Sequence, residues 1–290
     1  MKQSKIRERF RVDKPKSFRL DDFDPAEMAG FKKADADTIV AAHSERLGDL
    51  QERLYAEDRW SLLVILQGVD AAGKDGAIKR VMAGLDPQGC TVHPFKAPNS
   101  EELEHDFLWR VVQRLPRRGD IAIFNRSHYE DVLAVRVHEG FVEQRRLPPE
   151  LVTGRIWQER FEDINAFERH LVRSGTVVVK FHLRISKDEQ KRRLLARLDE
   201  PAKRWKFSMD DITQRKLWDR QMEAYEDMIR NTSTPEAPWY VVPADHKWFA
   251  RLVIANVVVD VLEGLKLEFP TFNTAALAKM RRIRKALEAD

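Results

Sequence analysis

The sequence predicts an α/β fold, a parallel sheet with helices on both faces. Short apolar runs that are typical of buried strands alternate along the chain with stretches of helical periodicity. A glycine-rich loop follows one apolar run and leads directly into a helical pattern. Strands that alternate with helices form a parallel sheet, because each helix carries the chain back across one face.

The first 35 residues are polar and of mixed charge, and they indicate an extension that packs on the core. Four apolar side chains are predicted to provide this packing: Phe18, Leu20, Phe23 and Phe31. A helical pattern follows, with Asp37 or Thr38 as its cap, and reaches about Glu57.

The apolar run Leu62–Leu66 predicts a buried strand, and the loop after it has the phosphate-binding pattern G-x-x-x-x-G-K. Glycines let such a loop curl with its N–H groups pointing inward, and the following helix adds its positive end. Lys74 supplies a mobile charge for phosphate oxygens. A chance glycine turn is the alternative, but here strand, loop and helix occur together. The residues predicted to bind phosphate are Gly68, Ala71, Ala72, Gly73, Lys74, Asp75 and Gly76.

Two carboxylates accompany this loop. Asp75 stands where Ser or Thr usually holds Mg²⁺, and Asp70 lies inside the loop. A carboxylate that faces bound phosphate would repel it unless a cation lay between them. We therefore predict a metal ion that is held partly by Asp70.

The next predicted elements are the strand Cys90–Phe95, a helix capped by Ser100, and the strand Ile121–Phe124. A polar cluster follows this last strand at its carboxyl end, where parallel sheets bind ligands. Asn125 takes the place of the Asp that usually reaches the metal, and it brings no charge. Arg126 can clamp phosphate with its forked donors.

Glu130 and Asp131 follow shortly after and could complete a metal site or orient Arg126. The alternative, compatible with the first, is that Ser127 caps a helix whose first turn holds these acids. His128 is predicted to pack or orient rather than act as a base, because phosphoryl transfer depends more on positioning and charge than on proton removal.

The second half of the chain continues the alternation. It predicts a helix from Pro148 and Pro149 to about Arg173, and strands over Thr176–Leu183 and Trp239–Val242. The remaining helices are predicted to begin after Ser186, at Asp210 and Asp211, and at Asp245 or His246. This order matches a nucleoside-monophosphate-kinase-like P-loop domain, in which a charged helical lid precedes the last strand.

Between Arg184 and Lys206 the chain carries nine basic residues and only four acids. This is more positive charge than one monophosphate needs, and it predicts a lid that binds a longer polyanion. An ordinary solvated helix is the alternative. Lys203 and Lys206 flank Trp205 in a predicted loop. The predicted contacts to the polyanion are Arg184, Arg193, Lys203 and Lys206.

The composition predicts a soluble protein of the cytoplasm. Charged residues make up 34% of the chain and hydrophobic residues 43%, enough for a sizeable core under a charged surface. Cys90 is the single cysteine, which excludes an intramolecular disulfide. The N-terminus does not read as a secretory signal, and no apolar run approaches the roughly 20 residues of a membrane span.

Five blocks of the sequence, within about residues 35 to 265, resemble the polyphosphate kinase type 2 family. They are G-V-D-A-A-G-K-D-G, F-K-A-P, H-D-F-L-W-R, F-N-R-S-H-Y-E-D-V-L and E-P-A-K-R-W-K-F-S. The resemblance implies phosphate transfer from inorganic polyphosphate to a nucleotide, with Mg²⁺ or Mn²⁺. It also implies a thymidylate-kinase-like fold and a homo-oligomer, a dimer or a tetramer. The residues it carries over are Asp70, Lys74, Arg126, Lys203 and Lys206.

Family members often show D-R-S-W-Y where this chain has N-R-S-H-Y. The latter form resembles the subgroup that phosphorylates AMP as well as ADP. Without that aspartate, Asp70 would hold the metal more nearly alone, or share it with Glu130 or Asp131. The expected activity is the reversible transfer of the terminal phosphate of inorganic polyphosphate to AMP, ADP or both. The expected partners are polyphosphate and adenine or guanine nucleotides.

We predict a phosphotransferase domain over residues 36–265, with a lid at about 184–232 and a basic tail at 266–290. The tail is either a solvated helix end or a second polyanion contact. Two other functions are open: an ATP-dependent kinase of the same shape, and a polyanion- or RNA-binding P-loop protein. RNA binding would require aromatic residues among the basic ones, on which bases could stack. Trp205 is the single aromatic residue in the basic stretch, so no specific nucleic acid is expected.

Overall fold

The computed structural model describes residues 5–138 and 140–289. In this part of the chain five strands, β1 to β5, form one sheet: Ser61–Gln67, Cys90–Pro94, Ile121–Asn125, Thr176–Arg184 and Trp239–Pro243. Helices α1 to α6 are Ile6–Phe10, Lys33–Glu57, Lys74–Val81, Ser100–Leu103, Trp109–Val112 and Ala134–Val137. Helices α7 to α12 are Ile156–Arg173, Lys187–Asp199, Asp210–Lys216, Trp218–Thr232, Lys247–Gly264 and Thr274–Leu287.

The five strands run parallel in the order β2-β3-β1-β4-β5. Every residue of the central strand β1 is buried. Because successive side chains of a strand point to opposite faces, this burial means that both faces of the sheet are covered. One group of helices packs α1, α2 and α3 with α11, and another packs α6 and α7 with α10. The architecture confirms the predicted α/β fold.

The topology brings several loops to one edge of the sheet. From β1 the chain passes to β2 and β3 on one side, and then crosses to β4 and β5 on the other. Parallel sheets of this kind bind ligands at the carboxyl ends of the strands beside such a switch point. The glycine-rich loop after β1, Arg126 after β3, and the starts of α8 and α11 after β4 and β5 all lie at this edge.

The segment that precedes α2 packs on the core. Its four predicted side chains are buried or partly buried there: Phe18, Leu20, Phe23 and Phe31. The amide of Val12 donates to the carbonyl of Trp239 at 2.9 Å, so the extension also covers the outer edge of β5. Residues 1–4 of the predicted extension and Asp290 of the predicted tail lie outside the described residues.

Two helix starts differ from the prediction. Helix α2 begins at Lys33, before both predicted caps, and burial of Ala36 supports a first turn that has no side-chain cap. The helix predicted to start with Ser100 as its cap is instead capped by Asn99. The Asn99 side chain accepts from the amide of Glu102 and the Glu102 carboxylate accepts from the amide of Asn99. The pattern read as one helix here is two four-residue helices, α4 and α5.

The prediction that two prolines open α7 was wrong. Pro149–Leu151 forms a separate 3₁₀ turn, and α7 begins only at Ile156, whose amide donates to the carbonyl of Thr153. The turn at Thr153 and Gly154 separates the two segments. The helix predicted from Asp210 is likewise divided, since α9 ends before Leu217 and α10 begins after it.

The basic tail forms helix α12, whose side chains are exposed or half-exposed along its whole length. This agrees with a solvated helix, and a second polyanion contact there stays a prediction. None of the helices in the described ranges is long and apolar enough to traverse a lipid bilayer.

Candidate active site

The loop between β1 and α3 has the backbone that its glycines predict. Gly73 has a φ of 108°, and the non-glycine residue Ala71 also lies in the left-handed region, with a φ of 64°. A Cβ atom on Gly68 would lie 2.9 Å from the carbonyl oxygen of Leu183 in β4. The loop therefore needs glycine at Gly68 for close approach and at Gly73 for its dihedral angle.

Lys74 begins α3 and is 8% exposed. Its Nζ donates to the carbonyls of Gly68 at 2.5 Å and of Val69 at 3.3 Å. Burial lowers the pKa of Lys74 to about 8, with a further contribution from the nearby Arg126 and opposition from Asp70. An anion bound in the loop would favour the charged ammonium, so ligand binding and protonation of this lysine are coupled.

Arg126 follows β3 in a left-handed conformation with a φ of 65°. Its guanidinium donates to Asp70 at 2.6 Å and to Glu130 at 3.2 Å. The pKa of Arg126 is raised, chiefly by Glu130 and also by Asp70, while burial opposes them. The 3₁₀ turn His128–Asp131, whose cap Ser127 accepts from the amide of Tyr129, positions Glu130 for this contact.

Asn125, at the end of β3, donates its side-chain amide to the Asp75 carboxylate at 2.7 Å. The residue in the usual aspartate position therefore orients the acid at the usual serine position. The described residues contain no cluster of three or more His, Cys, Asp or Glu side chains suited to a metal. Asp70 and Asp75 both line the cleft, and Mg²⁺ is typically bound by one or two carboxylates completed by phosphate oxygens and water. The donor set thus fits a cation that arrives with a phosphate ligand.

A cleft of about 560 Å³ runs from the glycine loop to the 3₁₀ helix Pro201–Lys206. Its described lining carries ten basic side chains against three carboxylates, Asp70, Asp75 and Glu200. The ten are Lys74, Lys96, Arg126, Arg192, Arg193, Arg197, Lys203, Lys206, Lys247 and Arg251. Such an excess of positive charge in a concave site concentrates polyanions.

A smaller pocket of about 120 Å³ lies beside the cleft. Asp70 and Arg126 line both spaces, and the smaller one adds Glu130, Tyr225 and Phe141 among its lining residues. The two spaces therefore meet at Asp70 and Arg126. The Arg126 guanidinium could stabilise a phosphoryl group that passes between them, whereas Asp70 could do so only through a bound cation.

The structure brings together most of the predicted site residues. The cleft is lined by Asp70, Ala71, Ala72, Gly73, Lys74, Asp75, Gly76, Asn125, Arg126, Arg193, Lys203 and Lys206. Gly68 lies beneath it and accepts the Lys74 bond, and Glu130 lines the smaller pocket. Lys203 and Lys206 belong to the 3₁₀ helix Pro201–Lys206, with Lys203 paired to Glu200 and the Lys206 Nζ 5.0 Å from the Trp205 ring centroid.

Arg184 and Asp131 lie elsewhere. Arg184 does not line the cleft, and its guanidinium donates to Asp21 of the N-terminal extension at 3.1 Å. Asp131 is buried and accepts from Arg145 at 2.7 Å. Burial raises the pKa of Asp131, although Arg145 opposes this effect. The structure therefore does not bring Asp131 together with Asp70, and a metal shared by these two acids does not fit the geometry.

A buried polar network lies beneath the Arg126 loop and was not predicted from the sequence. Lys180 of β4 is fully buried and donates to the Tyr129 hydroxyl at 2.9 Å, to Glu168 at 2.5 Å and to the carbonyl of Thr232 at 2.7 Å. The Tyr129 hydroxyl donates to Glu168 at 2.7 Å, and His128 lies 3.5 Å from the same carboxylate. Burial lowers the pKa of Lys180, and Glu168 opposes that change.

The signal for this network was the lysine itself, because a charged residue inside an apolar strand needs a buried partner. Lys247 and Arg251 of the cleft were also missed. They follow β5, whose carboxyl end lies at the same edge of the sheet, so the rule for parallel sheets could have found them.

A glycine loop at a helix start, a lysine within it and an arginine clamp on the neighbouring strand define a phosphoryl-transfer site of the P-loop class. The ten basic side chains of the cleft distinguish it from a site built for one small phosphate.

The family model described as Polyphosphate kinase 2 (PPK2) matches residues 30–270. The chain is 47% identical over 270 residues to the AMP/ADP-polyphosphate phosphotransferase of Meiothermus ruber, and the aligned region covers 92% of this chain and 97% of that protein. It is 46% identical over 250 residues to the ADP-polyphosphate phosphotransferase of Rhodopseudomonas palustris, 86% of each. The crystal structure of polyphosphate kinase 2 from Arthrobacter aurescens TC1 matches with a TM-score of 0.85, 42% identity and 95% coverage of each chain. The chain belongs to the polyphosphate kinase 2 family, which confirms the resemblance seen in the sequence.

Proposed function

We propose that this protein transfers the terminal phosphate of inorganic polyphosphate to AMP or ADP, and catalyses the reverse transfer as well. The observation that carries the proposal is the cleft with ten basic side chains that reaches from the glycine loop to Lys206. The printed names of the Meiothermus ruber and Rhodopseudomonas palustris relatives support the choice of substrates.

The two spaces that share Asp70 and Arg126 suggest separate places for the two substrates. The cleft would hold polyphosphate along its basic wall, and the smaller pocket would hold the acceptor nucleotide. Phe141 and Tyr225 offer aromatic surface to a base, and Gln214 offers an amide. A phosphate oxygen of the acceptor would then face the end of the donor chain across Asp70 and Arg126, as in-line transfer requires.

The residues of this chain would contribute positioning and charge. Lys74 would exchange its carbonyl partners for phosphate oxygens, and its lowered pKa would rise as the anion binds. Arg126 offsets charge on the group in transit with its forked donors. Phosphate passes directly from donor to acceptor, and no side chain needs to carry it as a covalent intermediate.

Asp70, aided by Asp75, would hold Mg²⁺ or Mn²⁺ between the loop and the phosphates. When bound, such a cation supplies charge neutralisation to phosphate oxygens that would otherwise be repelled by these two carboxylates. We also propose a homo-oligomer, a dimer or a tetramer, acting in the cytoplasm, where adenine and guanine nucleotides occur.

The test is an assay of nucleotide products from AMP, ADP, GMP and GDP, each incubated with polyphosphate and Mg²⁺. We expect ATP from ADP, and loss of at least about 100-fold in rate for Lys74→Met, since one charge-stabilising donor is typically worth this much. Lys79→Met is the matched control, because Lys79 is an exposed lysine of the same helix and does not line the cleft.

No product from any nucleotide with polyphosphate would refute the proposal. Transfer from ATP alone would favour the ATP-dependent kinase. RNA binding that is insensitive to Lys74→Met, in the absence of turnover, would favour the polyanion-binding protein.

A further inference from the structure

The outer side of the phosphate-binding loop is bound by two side chains of α8. Gln190 donates its amide to the carbonyl of Asp70 at 3.2 Å. Arg193, one turn further along the helix, donates through Nη1 to the carbonyls of Ala71 at 2.9 Å and Ala72 at 2.8 Å. Three consecutive carbonyls of the loop thus accept hydrogen bonds from one helix.

These bonds set the direction of the loop's N–H groups. In a planar trans peptide the C=O and the following N–H point in opposite directions. With the carbonyls of Asp70 and Ala72 directed toward α8, the N–H groups of Ala71 and Gly73 are turned away from it. Inward N–H groups are what a loop of this type offers to phosphate.

The loop also needs outside support, because Ala71 occupies the left-handed region with a φ of 64°. A residue with a Cβ atom holds this conformation only where its surroundings impose it. The Gln190 contact on the carbonyl of Asp70 and the Arg193 contact on the carbonyl of Ala71 lie on the two sides of the Ala71 Cα and supply that restraint.

The rest of the Arg193 guanidinium is engaged as well. Its Nη2 donates to the carbonyls of Ala244 at 2.5 Å and Asp245 at 3.0 Å, and its Nε donates to Glu189 at 2.7 Å. These five contacts match the five N–H donors that an arginine carries. The side chain is 6% exposed, although it was predicted as a polyanion contact.

We propose that Arg193 and Gln190 are positioning residues that keep the phosphate-binding loop in its anion-binding form, and that Arg193 is not itself a polyphosphate contact. The catalytic consequence rests on the proposed function. Lys206, which lines the cleft and is exposed, serves as the contrasting case of a direct contact.

The experiment compares Arg193→Met, Arg193→Lys and Lys206→Met with the wild type. For each, KM for polyphosphate is measured over a range of salt concentrations, together with kcat. Each phosphate charge neutralised by a protein cation contributes about 0.7 to the slope of log affinity against log salt, by analogy with single-stranded nucleic acid. A direct contact therefore changes the slope, whereas a positioning residue does not.

We expect Lys206→Met to reduce the slope by about 0.7. Arg193→Met should keep the wild-type slope and lose at least about tenfold in kcat. Arg193→Lys should show the same slope and the same loss as Arg193→Met, because one ammonium group cannot replace the planar guanidinium. A reduced slope in Arg193→Met, or rescue of KM and kcat by Arg193→Lys, would overturn the proposal.

Hydrogen exchange gives a readout that does not depend on turnover. We expect the peptide covering residues 67–76 to exchange faster in Arg193→Met and in Gln190→Ala than in the wild type. Gln190→Ala keeps all the hydrogen bonds of Arg193, so it tests the loop even if Arg193→Met misfolds. The peptides of α11 serve as the reference. Unchanged exchange in the loop in both variants would refute the positioning role, even if the wild type proved inactive with polyphosphate.

Discussion

Asn125→Asp changes the contact between the end of β3 and the phosphate-binding loop. In the wild type the Asn125 amide donates to the Asp75 carboxylate at 2.7 Å. The substitution removes a hydrogen bond to a charged acceptor, worth about 1.5–3 kcal/mol, and places two carboxylates in contact. Both side chains are partly solvated, so the added repulsion is modest, on the order of 1 kcal/mol. Without a cation, the sum is about 2.5–4 kcal/mol of lost stability.

A divalent cation should reverse part of this loss, because two adjacent carboxylates form a better site than one. The assay is thermal unfolding of Asn125→Asp and Asn125→Ala, each with EDTA and with Mg²⁺. In EDTA we expect Asn125→Asp to melt at least about 4 °C below the wild type, with Asn125→Ala between them. Mg²⁺ should raise the Tm of Asn125→Asp more than that of the other two proteins. Equal melting of all three in EDTA, or equal responses to Mg²⁺, would show that the Asn125 contact does not govern this corner of the site.

Three further predictions concern charged groups at different depths. Lys180→Met should lower the free energy of unfolding, measured in urea, by about 3–5 kcal/mol, because it leaves the buried Glu168 carboxylate without its cation. The double variant with Glu168→Gln should recover part of this loss. A loss below about 1 kcal/mol would contradict the importance of the network. The pKa of Lys74 is about 8, so Lys74 loses its charge as the pH rises through 8, and KM for polyphosphate should increase there. In Lys74→Arg this increase in KM should move to higher pH. Arg184→Ala should leave KM for polyphosphate within about twofold of the wild type, since Arg184 binds Asp21 outside the cleft; a change of tenfold or more would place it back in the site.

The phosphate-binding loop and the strands around it were predictable because their signals are local. Glycine at Gly68 and Gly73 is required by backbone geometry that spans only a few residues. Apolar runs mark buried strands, and their alternation with helices leaves few possible topologies. The position of Arg126 at the end of β3 followed from the rule that ligands lie at the carboxyl ends of parallel strands.

The errors in helix starts have a different physical origin. Proline and serine indicate where a helix tends to begin in an isolated segment. The actual start of α7 depends on the turn at Thr153 and Gly154, which separates α7 from Pro148 and Pro149. In α2, burial of Ala36 stabilises the first helical turn, which has no capping side chain by which the sequence could indicate it.

The sequence by itself determined the fold class, the glycine-rich loop after β1, the basic stretch between Arg184 and Lys206 and the family, because each depends on residue type and spacing along the chain. Tertiary structure alone decided which charged side chains line the cleft. Arg193 and Arg184 belong to the same basic stretch of the sequence, yet Arg193 donates to a carbonyl of the glycine-rich loop and Arg184 donates to Asp21 of the N-terminal extension. The direction of a side chain depends on what packs against it, and those partners, such as Glu168 for Lys180, come from distant parts of the chain.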